Sequence, residues 1–141
     1  MTHHTLDYAN RIRQQGYRLT PQRELVLDAV CEGGGHTSFD EIQRRVQARA
    51  PAVNRSTIYR TLEFLEKLNL VVVAHIEGRT LYEIAHARPH HHLICSRCGA
   101  EIEIDETMLT PAYDRIAERT GFVVHADHLV LSGLCGECNA K

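Results

Sequence analysis

Two pairs of cysteines, Cys95-Ser96-Arg97-Cys98 and Cys135-Gly136-Glu137-Cys138, carry the most specific chemistry available to this chain. Four thiolates in two such pairs close a tetrahedron around zinc and leave no open position, which is the structural kind of site. A redox dithiol is the other use of a Cys-x-x-Cys pair. The N-terminus, Met1-Thr2-His3-His4, has no apolar signal region, so the expected compartment is the reducing cytoplasm, where clustered thiols serve as metal ligands. Between the pairs lie 36 residues, enough for a small folded unit. The fifth cysteine, Cys31, sits in an apolar helical run and reads as a small buried hydrophobe. Directly before the first pair comes His90-His91-His92-Leu93-Ile94. In a strand, alternation sends His90 and His92 to one face and His91 to the other. Two imidazoles on one face begin a second metal site; a solvated polyhistidine run is the plainer alternative.

These ligands need elements to hold them. Asp7 to Gln15 reads as a short helix stopped by Gly16. Thr20-Pro21 opens a second helix, with Thr as cap and Pro in the first turn, and Gly33-Gly34-Gly35 breaks it. Ser38 caps a third, Phe39 to Arg49. A fourth, Thr57 to Asn69, carries Ile58, Leu62, Leu65 and Leu68 along one side, with Ser56, Tyr59, Arg60, Glu63 and Lys67 opposite. Two β-rich runs, Leu70–Ile76 and Thr80–Ile84, flank a Glu77-Gly78 turn and make a hairpin. Helices followed by a hairpin is the order of a winged helix-turn-helix, with its last helix available to a major groove. Beyond a turn-prone stretch, strands are expected at Leu93-Ile94, Ala100–Asp105 and Phe122–Leu131. Thr110-Pro111 repeats the cap-and-proline start of a helix that stops at Gly121. The fold class is therefore α+β: a winged helix-turn-helix domain over 1–85, a hinge at 86–89, and a small α/β domain over 90–141 that holds the thiols.

Charge is divided between the two parts. Residues 1–89 hold 12 Lys/Arg against 10 Asp/Glu, and residues 90–141 hold 4 against 8. Only the first part is suited to facing phosphate. No apolar run approaches a membrane span, so no membrane partner is expected.

The order of features resembles the ferric uptake regulator family of metal-dependent repressors. The most specific pieces are Gly16-Tyr17-Arg18-Leu19-Thr20-Pro21-Gln22-Arg23, Ser56-Thr57-Ile58-Tyr59-Arg60-Thr61-Leu62, and His90-x-His92-Leu93-Ile94-Cys95-x-x-Cys98-Gly99. The resemblance implies structural zinc on Cys95, Cys98, Cys135 and Cys138, in agreement with the spacing. It also implies a sensing metal on His36, Glu83, His90, His92 and Glu103, and a homodimer formed through residues 90–141. Its double-stranded DNA partner would be a palindromic operator, contacted by Tyr59 and Arg60 in the major groove, Arg18 in the minor groove, and Arg55, Ser56 and Thr57 at phosphates. Imidazole with carboxylate suits Fe(II), Mn(II), Zn(II) or Ni(II). Peroxide sensors of the family carry aspartate where this chain has Glu103, and its zinc sensors commonly place a cysteine in the segment that here runs from Glu83 to Pro89 without one. The resemblance thus favours an iron-type sensor. A further family metal site uses the middle histidine, here His91, together with the position of Pro89, which cannot coordinate. Asp127 or His128 would take the place of that site's later histidine.

Two other classes use the same residues differently. A metalloenzyme would activate water on the His/Glu set, but catalytic zinc keeps three protein ligands and an open position. Five candidate ligands leave little room for substrate. A metal buffer would not require Tyr59 and Arg60 on an outward helix face.

Overall fold

The computed structural model describes residues 3–86 and 89–141, with the side chains of the first helix described from Asp7 onward. The chain forms two compact units, Met1–Ala85 and His86–Lys141. The expected hinge at 86–89 falls partly on Ala87 and Arg88, outside the described residues.

The first unit contains α1 (His3–Gln14), α2 (Pro21–Cys31), β1 (Thr37–Ser38), α3 (Phe39–Arg49), α4 (Arg55–Lys67), β2 (Val71–Ile76) and β3 (Arg79–Ile84). Helix starts follow local chemistry. The Thr20 hydroxyl accepts the Arg23 amide with Pro21 in the first turn, and Ser38 with Glu41 forms a reciprocal capping box. The fourth helix starts two residues before the expected Thr57, because the Asn54 side chain takes the Thr57 amide at 2.9 Å and draws Arg55 and Ser56 into the first turn. It also stops short of Asn69, which turns to φ 54°. The hairpin turn needs positive φ at both central residues, and Glu77 (49°) and Gly78 (76°) supply it.

The two-residue strand β1 was not expected, being too short to leave a periodic pattern. It adds to the hairpin in the order β1-β3-β2, with Thr37 opposite Tyr82 and Ser38 opposite Leu81. The result is a winged helix-turn-helix over one core of α1–α4 and hairpin side chains, including Ile12, Leu27, Val30, Ile42, Ile58, Leu62 and Leu65. Leu65 is fully buried there. Leu65→Ala is expected to destabilise this unit by about 2–5 kcal/mol, measurable as a lower denaturant midpoint with zinc content unchanged.

The second unit contains β4 (His90–Cys95), β5 (Glu101–Ile104), a 3-10 turn (Glu106–Met108), α5 (Thr110–Thr120), β6 (His128–Gly133) and α6 (Gly136–Asn139). Its sheet order is β5-β4-β6, with β5 antiparallel and β6 parallel to β4. Two expectations are corrected. The strand foreseen over 122–131 begins only at His128 and runs to Gly133, because parallel pairing with β4 fixes it from His90↔His128 to Cys95↔Gly133. Phe122 and Val123 pair with no strand among the described residues and stand 67% and 65% exposed. Thr110 is not a cap: α5 continues from the preceding turn through Leu109, and the Thr110 hydroxyl donates to the Glu106 carbonyl. Gly121, at φ 72°, ends α5 as its sequence suggests.

Candidate metal centres and nucleic-acid interface

The thiol cluster follows directly from strand order. Cys95 ends β4, the Cys95–Cys98 turn closes through the Gly99 amide on the Cys95 carbonyl at 2.9 Å, and Gly99 takes φ 75°. The neighbouring β6 ends at Gly133, paired with Cys95, so Cys135 and the α6 residue Cys138 emerge beside the first pair. All four residues place their sulfurs within 4.8 Å of one another, and Cys98 Sγ lies 3.7 Å from Cys135 Sγ. Zinc–sulfur bonds of about 2.3 Å in a tetrahedron put the sulfurs about 3.8 Å apart, so the spacing fits zinc. It is far beyond a disulfide bond, and all five cysteines are free. Hydrogen bonding from the backbone of Cys135 and Cys98 lowers the Cys95 pKa to about 6. Burial, and then the three neighbouring sulfurs, push Cys138 up to about 12. Four such thiols do not ionise together unless a cation compensates them. Cys31 lies apart on α2, where burial raises its pKa to about 11, in keeping with an inert packing thiol.

Register also pairs two of the expected sensing ligands. Antiparallel pairing of Thr37 with Tyr82 brings the preceding residue, His36, beside Glu83. His36 Nε2 is 3.5 Å from Glu83 Oε2, with side chains only 1% and 4% exposed. The small strand β1 thus holds this half of the ligand set in place within the first unit.

In the second unit, strand alternation divides the histidines as expected. His90 and His92 share a face of β4; His91 takes the other, fully buried, with its Nδ1 accepting the Leu129 amide at 3.0 Å. Parallel register adds His128 to the first face, opposite His90. Ring centroids lie 4.9 Å apart for His90–His92, 4.9 Å for His90–His128 and 5.2 Å for His92–His128. His86 packs against His90 at 4.5 Å. Glu103 is the register partner of His92 and shares its face, but its side chain is exposed. Glu101 is the carboxylate that approaches the ring, with Oε1 2.9 Å from His92 Nδ1. His128 opens β6 opposite His90 and so lies on the face of His90 rather than that of His91, while Asp127 precedes the strand.

The outward face of α4 presents Ser56, Tyr59 and Arg60 to solvent, with Tyr59 51% exposed. Thr57 is half-buried under the Asn54 cap. Arg55 is exposed but bent back: its guanidinium lies 4.4 Å over the Phe39 ring and donates to Gln43 at 2.8 Å. Arg18 is exposed on the connector before α2, and its carbonyl accepts from Arg23 at 2.7 Å. Arg23 also lies over Phe64 at 3.8 Å, lining with Arg60, Thr20, Gln22, Thr57 and Thr61 a groove between α2 and α4.

The model of the ferric uptake regulator family matches residues 14–132. The chain belongs to the ferric uptake regulator family. It is 33% identical to the ferric uptake regulation protein of Bacillus subtilis (strain 168) over 141 residues, covering 94% of this chain and 95% of that one. The Helicobacter pylori ferric uptake regulator, solved with three functional metal-binding sites, superposes at TM-score 0.78 with 26% identity, covering 98% of this chain and 93% of that one. A zinc uptake regulator solved with zinc and DNA superposes at 0.69 with 25% identity, covering 96% and 93%.

This ferric uptake regulator family member is accordingly a metal-responsive transcriptional regulator that binds DNA and metal ions, and not an enzyme. Its cysteine cluster fits zinc. Among the described residues no helix is long and apolar enough to cross a membrane. Three residues near the histidine face were not picked out in sequence as sensing ligands: His86, Glu101 and His128. Alternation along the strand expected over 100–105 places Glu101 on the face of Glu103, but its approach to His92 needs the pairing of β5 with β4. His128 needs the parallel register of β6 on β4, which no local pattern carries.

Proposed function

We propose that this regulator is a cytoplasmic homodimeric repressor of metal-homeostasis genes, with the first unit reading DNA and the second forming the dimer. The observation that carries the reading is a contrast on the winged-helix unit. His36 and Glu83 are withdrawn from water as a pair, while Tyr59 and Arg60 stand exposed on the helix available to a major groove. The regulatory ligands are His36 and Glu83 from one unit and His90, His92 and Glu103 from the other. Drawn onto one divalent ion, the two halves fix how the winged helix is presented from the dimer. Two recognition helices then meet two half-sites of a palindromic operator about one helical turn, or a multiple of it, apart. Metal and DNA each tighten binding of the other by the same factor. The names of relatives such as the Bacillus subtilis protein support an iron-type response. Exposed Ile102, Met108, Phe122, Val123 and Leu131 on the second unit support its self-association.

The DNA-reading role is tested at Arg60. It is solvent-exposed and outside the core cluster, so truncation leaves the fold intact. Arg60→Ala is expected to cost about 1–3 kcal/mol on the operator and to relax preference at one position per half-site. A purely phosphate contact would instead weaken all sequences evenly and lower the salt slope by about one. The measurement is a titration of metal-loaded wild type and variant on operator and scrambled duplexes at two salt concentrations. Unchanged affinity on both duplexes would remove α4 from the DNA.

A further inference from the structure

Ser96 and Arg97, the two residues between the first cysteines, give no sulfur to the thiol cluster, yet both reach across to the second pair. The Ser96 amide donates to the Gly133 carbonyl at 2.9 Å, and the Ser96 hydroxyl donates to the same oxygen at 3.1 Å. Gly133 ends β6, two residues before Cys135. The Arg97 guanidinium donates to the Cys138 carbonyl at 2.5 Å, across 41 positions of sequence. Arg97 also hydrogen-bonds Cys95 through its backbone, so one residue spans the first and the last ligand of the set.

We propose that Arg97 is a positioning residue for the zinc site: its side chain docks α6 and so holds the Cys138 sulfur among the other three, while Ser96 places the approach to Cys135. The inference rests on the reading of the four cysteines as a zinc site and gives roles to two residues outside the ligand set. The element that carries Cys138 needs such a hold. α6 spans only Gly136–Asn139, has no side-chain cap, and its backbone bonds are local, from the Asn139 amide to Cys135 and from the Ala140 amide to Gly136. An isolated helix is marginal in water below about 12–15 residues, so α6 does not stand by itself. The last carbonyls of a helix also lack partners within it, and a guanidinium is a donor that satisfies one of them. The charge is suited to its place as well. Four thiolates around one divalent ion carry net negative charge, and Arg97 sets a cation in the loop between two of them.

The test uses full-length, zinc-loaded protein in two measurements. Zinc affinity is read by chelator competition, and thiol protection by alkylation with iodoacetamide at intermediate chelator, mapped residue by residue by mass. Replacing a residue that orients a metal ligand commonly costs about 10–100-fold in metal affinity. Arg97 is exposed, so its truncation opens no cavity in the sheet. Arg97→Ala should bind zinc about tenfold or more weakly, with Cys138 alkylated ahead of Cys95, Cys98 and Cys135. Arg97→Lys, which keeps a cationic donor, should recover part of the affinity and of the Cys138 protection. Ser96→Ala should have the smaller effect, because the Ser96 amide still holds Gly133. Should Arg97→Ala lose its zinc during purification, Arg97→Gln takes its place, keeping a donor without the charge. Wild-type affinity and labelling in Arg97→Ala would overturn the proposal. So would weaker binding with all four thiols labelled together and no rescue by lysine, the mark of general loosening. Wild-type zinc content in Cys95→Ser would instead remove the zinc reading on which the proposal rests.

Discussion

Cys95→Ser protein is expected to lose its tightly held zinc, its dimer mass and the cooperative melting of residues 86–141, while residues 1–85 still unfold as a unit. The asymmetry follows from where apolar burial lies. The core cluster is drawn entirely from the first unit, from Tyr8 to Ile84. Among the described residues of the second unit the buried hydrophobic ones are Ile94, Ile104, Cys95 and Cys138, two of them thiols. A sheet of three short strands with so little apolar burial depends on other sources of stability. Structural zinc in small domains contributes apparent free energies of about 10–16 kcal/mol near neutral pH, and that binding energy is folding energy. The geometry ties the site to Cys95: the residue ends β4, its amide donates to the Ala100 carbonyl at 2.8 Å, and its sulfur lies among the other three. Since binding zinc displaces thiol protons, loading should also weaken as pH falls. Metal analysis, native mass and a two-transition melt check the expectation. A Cys95→Ser protein with wild-type zinc, mass and melting would refute the zinc assignment. Cys31→Ser, on α2 in the other unit, should change none of the three.

Much of this architecture was legible because its signals are local. Thr20-Pro21, Ser38 with Glu41, and Glu77-Gly78 each determine their own backbone geometry, and the cap, box or turn appears where the residues stand. The thiol cluster was legible because two Cys-x-x-Cys pairs need only be brought together once. What was not legible depends on pairing between distant segments. The strand β1 has two residues and exists because β3 offers it an edge, yet it brings His36 beside Glu83. The start of β6 is set by β4, so the strand expected over 122–131 was placed too early, and the face of His128 follows only from the parallel register. Glu101 reaching His92 is likewise a diagonal contact across two strands, invisible along either one.

Separation of sensing from structure is the sharpest consequence of the strand geometry, because three consecutive histidines should give two different phenotypes. His90→Ala or His92→Ala should abolish the metal-dependent part of DNA binding and leave structural zinc and the dimer intact. The gain in DNA affinity on adding metal, a coupling expected at roughly 1–3 kcal/mol or 5–150-fold, should fall to nothing in either variant. The thiol cluster begins beyond Ile94, with Cys95 at the end of the same strand. His91→Ala should do the reverse. Its ring is fully buried on the opposite face and accepts the Leu129 amide, so its removal leaves a cavity and an unsatisfied N–H where β4 meets β6. Such losses cost about 1–3 kcal/mol for the amide alone, so His91→Ala should lower the melting temperature of the second unit yet still respond to metal while folded. The experiment is one set of metal titrations on operator DNA for the three variants, with zinc content and melting recorded on the same samples. A wild-type response from His90→Ala or His92→Ala would show that this strand face is not the sensor. Equal loss of response in all three would show instead that the alternation separates nothing, and that the run acts as a unit.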